Sequence, residues 1–483
     1  MEKYFRLSHA RNWRKVPFMA ALLTISLQAG AQQMLSLDSC RAMALRNNKQ
    51  MNVSELKQDV AKNIRKSART KYLPHVSAVG TYQFTSEEIS LLNSEQKTTL
   101  SGLGDSFAGL AALTGIPVST GMSMLLNAEG QKIVDAFKTD TRHIWAGSVM
   151  AVQPVFMGGS IVAMNKMADL GEEMARNTAD SKRQEIIYSV DKTYWQVVSL
   201  KHKKRLAESY LAVVKKLEGD VQRMIEEGVA TKSDGLSVSV KVNEAEMTVQ
   251  QVNDGLVLSR MLLCQMIGLP MDDPVTLADE DAENLDVATY QARPDVATAI
   301  ENRPELKMLD NTVAISKQAT KLLKAGNLPM VALTGGYTIS NPSVLNGFER
   351  KFNGFWNVGV LVRVPIWNWG DVMYKVRASK GATAIASLEL EEAREKIELQ
   401  VSQNAYRVDE AQKRLEMANA SVKKADENLR MANLGFSEGV ATPTTVMEAQ
   451  TAWLQAKSQK IDAEINMKLS QVDLEKSLGT LKY

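Results

Sequence analysis

The chain has 483 residues, with 58 lysine and arginine side chains against 55 acidic ones and a formal net charge of +3. Five of the basic residues lie before position 16, so the rest is nearly neutral and gives no argument for nucleic-acid binding. Aromatic residues make up only 6%, and long stretches rich in Ala, Gln, Lys and Glu are typical of extended helices rather than compact globular domains.

Residues 1–31 have the pattern of a secretory signal peptide. A basic leader comes first, an apolar run follows at 16–27, and Ala29-Gly30-Ala31 supplies a small-x-small cleavage site. The apolar run is too short to span a bilayer. We therefore expect cleavage before Gln32, with an uncleaved N-terminal anchor helix as the alternative.

The remaining chain contains two copies of one pattern. Ala44-Leu45-Arg46-Asn47 matches Ala299-Ile300-Glu301-Asn302 at a spacing of 255 positions, and Glu227–Thr231 matches Glu438–Thr442 at 211. Such self-similarity predicts structural repeats. We assign the repeats to residues 32–270 and 296–483, each expected to read helix, strand, loop, strand, long helix, tight turn, helix. An acidic linker at 271–295 joins them, expected as a girdle outside the helices.

Four segments have the period-two alternation of β-strands with one apolar face. They are residues 76–84, about 144–156, 331–340 and 357–366. Their length suits transmembrane strands, although a soluble sandwich would give the same alternation. An aromatic girdle of a membrane barrel is expected from Trp145, Trp356, Trp367 and Trp369, which lie at the strand ends. Four strands cannot close such a barrel, so we expect the chain to oligomerise.

The change of spacing from 255 to 211 places 44 extra residues in the first repeat, at about 86–142. This insertion contains five glycines between positions 102 and 121 and an apolar patch at 107–118. The strand order predicts that it lies on the external face. A lid over the barrel mouth and a plain surface loop are both compatible with the pattern, and we expect the loop.

Residues 371–434 contain no proline, and a continuous helix there would be about 95 Å long. An apolar stripe from Ile397 to Ala432 has a mean spacing of about 3.5 residues, the coiled-coil period. The first repeat preserves the stripe except at Lys204 and Glu218. We expect these helices to form the wall of a periplasmic tunnel, and an ordinary coiled-coil stalk would give the same periodicity.

Each long helix is expected to end in a sharp turn far from the strands, because a glycine stops it and a threonine caps the returning helix. The two turns are the predicted docking surface for an inner component. They consist of Gly228, Val229, Ala230 and Thr231 in the first repeat and Gly439, Val440, Ala441 and Thr442 in the second.

The residue types of common active sites lack the expected spacing. His75, His143 and His202 are scattered without partners at metal-ligand spacing, and no nucleotide-binding or hydrolase motif occurs in the required context. Cys40 and Cys264 are expected to be buried thiols on separate helices. The sequence predicts no enzyme, no cofactor and no metal.

Three segments carry a resemblance to a known family. They are Leu37-Asp38 with Ala42, Ala44-Leu45 and Asn47-Asn48; Asn302-Arg303-Pro304-Glu305-Leu306; and 435–442 running into 446–450. With the duplication, they resemble the outer membrane efflux protein family, the TolC-like channels. The resemblance implies a mainly α protein with β-strands, a tandem-duplicated subunit of a trimer. Its twelve-strand transmembrane β-barrel would be continuous with a twelve-helix periplasmic α-barrel.

The resemblance also implies an iris-like gate at the helix turns, from which this chain departs. The tyrosine and arginine of the family's latch fall on Phe436 and Ala441, and its acidic residues fall on Asp234, Thr445 and Glu448. The familiar salt-bridge latch is therefore not supported here. We expect Asp234 and Glu448 to form an acidic, cation-favouring entrance, and closure to depend more on packing.

The function implied is an outer-membrane export duct of a tripartite efflux system in a Gram-negative bacterium, extending into the periplasm. Its partners would be two further copies, outer-membrane lipid, a periplasmic adaptor (membrane fusion protein) and an inner-membrane RND-type pump or ABC exporter. The alternatives are type I protein or peptide secretion, a passive porin, and a periplasmic coiled-coil scaffold.

Overall fold

The computed structural model describes residues 34–87, 92–115, 118–138, 140–282, 295–345 and 349–481. The expected signal peptide at 1–31 and most of the second half of the acidic linker, 283–294, lie outside the described residues. The chain divides into two compact units. The helical unit comprises residues 1–55, 178–305 and 393–483, and the sheet unit comprises residues 56–177 and 306–392.

The described residues are mainly helical with some strands, as expected. The strands are β1 (Met34–Leu35), β2 (His75–Phe84), β3 (His143–Met157), β4 (Thr276–Leu277), β5 (Met330–Asn341) and β6 (Asn353–Arg363). The helices are α1 (Leu37–Asn47), α2 (Lys49–Thr70), α3 (Ser94–Ser101), α4 (Leu103–Leu113), α5 (Thr120–Ala136), α6 (Ser160–Glu226), α7 (Lys232–Ile267), α8 (Val296–Asn302), α9 (Pro304–Lys324), α10 (Asp371–Ser437) and α11 (Pro443–Leu478).

The sheet unit contains one antiparallel sheet in the order β2-β3-β5-β6, so β2 and β6 are its edges. The first three strands start and end within about a residue of the predicted positions. The prediction for the fourth was wrong at both ends, because β6 starts at Asn353 and stops at Arg363. Pro365 lacks the N–H that would continue the ladder. A bulge interrupts the pairing of β3 with β5 between Pro154 and Phe156.

The long helices of the two repeats have equal lengths. Helices α6 and α10 each have 67 residues, and α7 and α11 each have 36. Helices α7 and α11 end alike, at Gly268 and Gly479, and both glycines adopt the left-handed conformation that residues with a Cβ disfavour. Each of the two long helices of the first repeat therefore has a counterpart of the same length in the second, and α7 and α11 share the same stop signal.

The predicted coiled-coil stripe is buried or half-buried along α6 and α10, which confirms the periodicity. Val190, Val401 and Val408 are among its most completely buried members. The two polar exceptions bond to α7: Lys204 Nζ donates to Asn253 Oδ1 at 2.7 Å, and Ser239 Oγ donates to Glu218 Oε1 at 2.8 Å. Polar residues are tolerated in this seam because each has a partner.

The insertion between β2 and β3 is helical, so the expectation of a surface loop was wrong. Helices α3, α4 and α5 occupy most of it, and Asn93 opens α3 with a capping box. One of the glycines that suggested a loop, Gly104, and a further one, Gly130, allow close helix packing. A Cβ on Gly104 would lie 1.9 Å from the carbonyl oxygen of Ser123, and one on Gly130 would lie 1.7 Å from that of Leu100.

In the helical unit, the described part of the acidic linker packs against α6 and α7. β4 pairs with β1 in parallel, Tyr194 Oη donates to Asp279 Oδ2 at 2.5 Å, and Arg260 Nη2 donates to Glu280 Oε2 at 2.6 Å.

Cys40 and Cys264 are buried free thiols on α1 and α7, as expected. Burial raises the pKa of the Cys40 thiol to about 12.

Candidate functional site

The first hairpin turn is built by a left-handed glycine and a threonine cap. Helix α6 ends at Glu226, and Gly228 has a φ of +79°. The N–H groups of Val229 and Ala230 both donate to the carbonyl oxygen of Met224, at 2.8 and 3.1 Å. These bonds satisfy the last turn of α6 and reverse the chain.

The second turn repeats this geometry residue for residue. Gly439 has a φ of +76°, and the N–H groups of Val440 and Ala441 donate to the carbonyl oxygen of Gly435 at 2.8 and 3.0 Å. Pro443 then occupies the first position of α11, where its missing N–H leaves no bond unmade. The sequence prediction of two tight turns at these positions is confirmed.

The two caps differ in charge. In the first turn, Thr231 Oγ1 accepts from the N–H of Asp234, and Asp234 Oδ2 accepts from the N–H and the hydroxyl of Thr231 at 2.9 and 2.7 Å. These bonds, the hydroxyl first, lower the pKa of the Asp234 carboxyl. In the second turn Thr445 holds the same place, and its hydroxyl lies 3.0 Å from that of Thr442. Only the first turn has a carboxylate in its cap.

One hydrophobic cluster supports both turns. Val221 of α6, Val238 of α7 and Val446 of α11 are completely buried in it, and Ala432 of α10 is a further buried member. Four helix ends therefore share a core. At the apex of each turn, by contrast, a valine is left open: Val229 is 69% exposed and Val440 is 83% exposed. Each turn therefore exposes one valine at an equivalent position, and the same buried cluster supports both turns.

The predicted gate residues fall into different environments. Phe436 is half-buried and packs against the cluster that supports the turns. Asp234 is engaged in the cap of its own helix, whereas Glu448 lies on the exposed side of α11. Ala441 is half-buried in the second turn. The hydrogen bonds of Asp234 give it a structural task that the sequence pattern did not reveal.

The register of the sheet aligns the apolar residues of four strands on one face. Tyr82 pairs with Trp145, and Tyr337 pairs with Trp356. The same face continues through Val76, Ala78, Gly80, Val149, Leu333, Val358, Val360 and Val362. The opposite face includes Ser77, Thr81, Gln83, Thr334, Thr338, Ser340, Asn353 and Asn357. The sheet therefore has one apolar face and one face on which polar side chains are mixed with apolar ones such as Val79, Met150 and Leu361.

The four tryptophans proposed as a girdle lie toward opposite ends of this sheet. Trp145 and Trp356 lie in strands near the end where the insertion leaves the sheet. Trp367 and Trp369 follow β6 at the other end, with their rings edge to face at a centroid separation of 5.8 Å. All four are exposed.

Sequence reasoning missed the ion pairs that hold α1 and the linker to the long helices. Arg41 binds Asp191, which lies 150 positions away, and Arg205 pairs with Asp281. Nothing in the spacing of these residues signals contact.

Among the described helices, none is long and apolar enough to cross a membrane. The described residues contain no group of three or more His, Cys, Asp or Glu that could hold a metal ion.

Comparison with known proteins gives consistent matches. Outer membrane protein TolC of Vibrio cholerae is 23% identical over 326 residues, which are 65% of this chain and 72% of that protein. The alkaline protease secretion protein AprF of Pseudomonas aeruginosa is 24% identical over 159 residues, 32% of each chain. The crystal structure of the outer membrane protein VceC from Vibrio cholerae has a TM-score of 0.71 at 12% identity, covering 92% of this chain and 96% of that one.

The family model for the outer membrane efflux protein matches residues 41–269 and 296–480, which covers both repeats. Proteins of this family are channels of the Gram-negative outer membrane that extend into the periplasm. By this match, the chain belongs to the outer membrane efflux protein family.

Proposed function

We propose that three copies of the chain form an export duct that passes substrates from a periplasmic adaptor and an inner-membrane pump to the outside. The observation that carries the proposal is the sheet, with one continuous apolar face and two open edges. The apolar face suits lipid and the polar face suits a water-filled lumen. This is a transport function without catalysis.

The open edges argue for a closed assembly. In lipid, the unpaired N–H and C=O groups of β2 and β6 would each cost several kcal/mol. Pairing β6 of one copy with β2 of the next removes both edges. Three copies would give a twelve-strand barrel, which exceeds the minimum of about eight strands.

The helices support the same assembly. A single chain leaves apolar side chains of α7 and α10 open, among them Leu236, Val240, Met247, Leu399, Tyr406 and Met417. Exposed apolar residues repeated along a helix mark a surface that another helix covers. We propose that neighbouring copies cover them, so that α6, α7, α10 and α11 of three copies form a twelve-helix periplasmic wall.

We propose that the two hairpin turns dock the adaptor. Val229 and Val440 would contact the adaptor, because both are exposed, occupy equivalent positions in the two turns and are supported by the same hydrophobic cluster. Val229→Asp with Val440→Asp should abolish transport while leaving folding and assembly intact. Lys413→Asp, at an exposed position of α10, is the control. Normal transport by the double variant would contradict the docking role.

At the same end, Asp234 and Glu448 are proposed to form an acidic entrance. Neutralising both, with Asp234→Asn and Glu448→Gln, should reduce the preference of the pore for cations over anions. Reversal potentials in a planar bilayer measure this preference. Unchanged selectivity would reject the entrance role without touching the proposal of a duct.

Two kinds of export system, efflux and type I secretion, remain as candidates, and they differ in the substrate that the duct would carry. The match to the outer membrane efflux protein family supports efflux, and similarity to the secretion protein AprF supports secretion. We pair efflux with an RND-type pump and type I secretion with an ABC exporter. Export of a dye or of a polypeptide, assayed with each kind of pump and its adaptor, separates them. We favour efflux.

The central test is a measurement on the purified protein in detergent and in a planar bilayer. A duct predicts a homotrimer from the outer-membrane fraction that conducts ions in discrete steps. A conducting trimer whose deletion impairs only nutrient uptake would indicate a porin. A monomeric or non-conducting protein in the periplasmic fraction would contradict the proposal and favour a scaffold.

A further inference from the structure

The helical insertion, defined as α3, α4 and α5, is fixed to the sheet at its base. The N–H of Thr85 donates to the carbonyl oxygen of Arg142 at 2.9 Å, closing the two strand ends. Asp140 binds Arg142 through Nε at 2.9 Å and Arg350 through Nη1 at 3.3 Å. These guanidinium groups lower the pKa of Asp140 to about 2. The Asp140 carboxyl is therefore ionised at ordinary pH and forms both ion pairs.

Above this base, the insertion leaves its large apolar side chains open. Phe107, Leu110 and Leu113 follow one another at three-residue spacing on α4, and Leu110 and Leu113 are 63% and 84% exposed. Met122 and Leu125 of α5 are also exposed. The helices fully bury only small residues such as Gly104 and Ala111. An exposed apolar patch on this scale marks an interaction surface.

A second apolar patch lies in the connection between β5 and β6, at the same end of the sheet. Val344, Leu345 and Phe352 are all more than half exposed. The insertion of the same chain does not cover them, although Arg350 in this connection reaches Asp140 at its base. Each chain therefore carries two apolar patches that its own fold leaves uncovered.

The sheet order assigns these patches to opposite edges. The insertion joins β2 to β3 at one edge, and the other patch joins β5 to β6 at the opposite edge. When copies close into a ring by pairing β6 with β2, the β5–β6 connection of one copy adjoins the insertion of the next. Head-to-tail contacts of this kind form a closed ring when the rotations between successive copies add up to one full turn.

We infer that the insertion of one copy packs its apolar face on the β5–β6 connection of the neighbouring copy, as a clasp between subunits at the outer end of the barrel. The inference rests on the proposed ring of copies. The partner that covers each patch is a second copy of this chain, because each copy supplies both patches and the ring brings the patches of neighbouring copies together.

The test is disulfide trapping between two differently tagged versions expressed in one cell. One carries Leu110→Cys and the other Val344→Cys, and both native cysteines stay in place because they are completely buried. After mild oxidation of the isolated outer membranes, a covalent dimer carrying both tags is expected. Replacing Leu110→Cys by Glu95→Cys, on the polar helix α3, should reduce that product to background.

The outcomes separate this inference from the duct itself. A normal trimer without the mixed dimer would overturn the clasp and leave the duct standing. A chain with both cysteines that closes only an internal disulfide would also overturn it, because its own connection would then be the cover. Failure to form any oligomer would overturn both.

Discussion

Arg41 and Asp191 join α1 to α6 through two hydrogen bonds of 2.7 Å, from Nε to Oδ1 and from Nη2 to Oδ2. The Asp191 side chain has no exposed surface. Removing one partner of such a pair leaves the other charge buried and uncompensated, at a cost of about 3–5 kcal/mol. We expect Arg41→Ala to lower the free energy of unfolding by this amount, measured by circular dichroism during denaturation in detergent.

The control for this prediction is Asp38, which contacts the same arginine from an 83% exposed position at 3.2 Å. Exposed ion pairs contribute about 0–1 kcal/mol. Asp38→Asn should therefore change stability little. Equal losses for the two variants would mean that burial of the Asp191 carboxylate does not determine the effect.

The insertion offers a test of helix packing with two glycines of the same helix. A Cβ on Gly104 would meet the carbonyl oxygen of Ser123 at 1.9 Å, whereas one on Gly109 would meet nothing within 4 Å. Gly104→Ala should separate α4 from α5 and speed proteolysis of the insertion. Gly109→Ala should leave proteolysis unchanged and gain about 0.5–1 kcal/mol of helix stability. Equal protease resistance in both variants would refute the packing role.

The turns should respond to alanine according to backbone conformation. Gly228 and Gly439 have φ values of +79° and +76°, and the left-handed conformation costs a residue with a Cβ about 1–2 kcal/mol. Gly228→Ala and Gly439→Ala should each destabilise the helical unit by that amount. Gly219→Ala, within α6 and with open space at its Cβ, should stabilise it slightly. Thermal denaturation of the three variants provides the measurement.

The first turn should loosen in acid. The pKa of Asp234 is lowered in the folded protein by hydrogen bonds from Thr231. A lowered pKa means that the ionised cap stabilises the turn above the carboxyl's unfolded pKa, and that this stabilisation is lost as the pH falls through the folded pKa. Hydrogen exchange at residues 232–235, corrected for intrinsic rates, should show lost protection in acid. In Asp234→Asn, that dependence should disappear.

The second turn lacks this carboxylate, and Thr445→Asp would supply it. An acidic residue in the first turn of a helix contributes about 0.3–1 kcal/mol. We expect slower exchange at the start of α11 above the pKa of the new carboxyl, and no difference from the native protein well below it. Faster exchange throughout would show that the second turn cannot accept the first turn's cap.

Two adjacent residues of β6 test the assignment of the sheet faces. Val358 lies on the apolar face and Asn357 on the polar one. An arginine on the lipid face near the bilayer midplane costs about 2–4 kcal/mol. Val358→Arg should therefore reduce folded protein in the outer membrane, and Asn357→Arg should not. The fraction that resists unfolding in SDS without heating reports folding. The reverse pattern would mean that the face carrying Asn357, and not the face carrying Val358, contacts lipid.

The sequence predicted the sheet and the turns well because their signals are local. Alternation at 331–340 depends on neighbouring residues alone, and so does the glycine-threonine pattern of the turns. The contact of Arg41 with Asp191 and the packing of Gly104 on Ser123 depend on residues far apart or on another helix. Glycine indicates both a loop and a close helix approach, so the helical insertion could not be distinguished from a loop.

The equal lengths of the paired helices restrict where this protein can vary. An extra residue in α6 alone would displace its turn by about 1.5 Å and 100° relative to that of α10. The segment between β2 and β3 has no such counterpart to match, and it already holds three helices where the second repeat has a short connection. In the proposed duct this segment lies outside the cell, so a peptide inserted away from the apolar face of α4 would be displayed there without shifting the long helices.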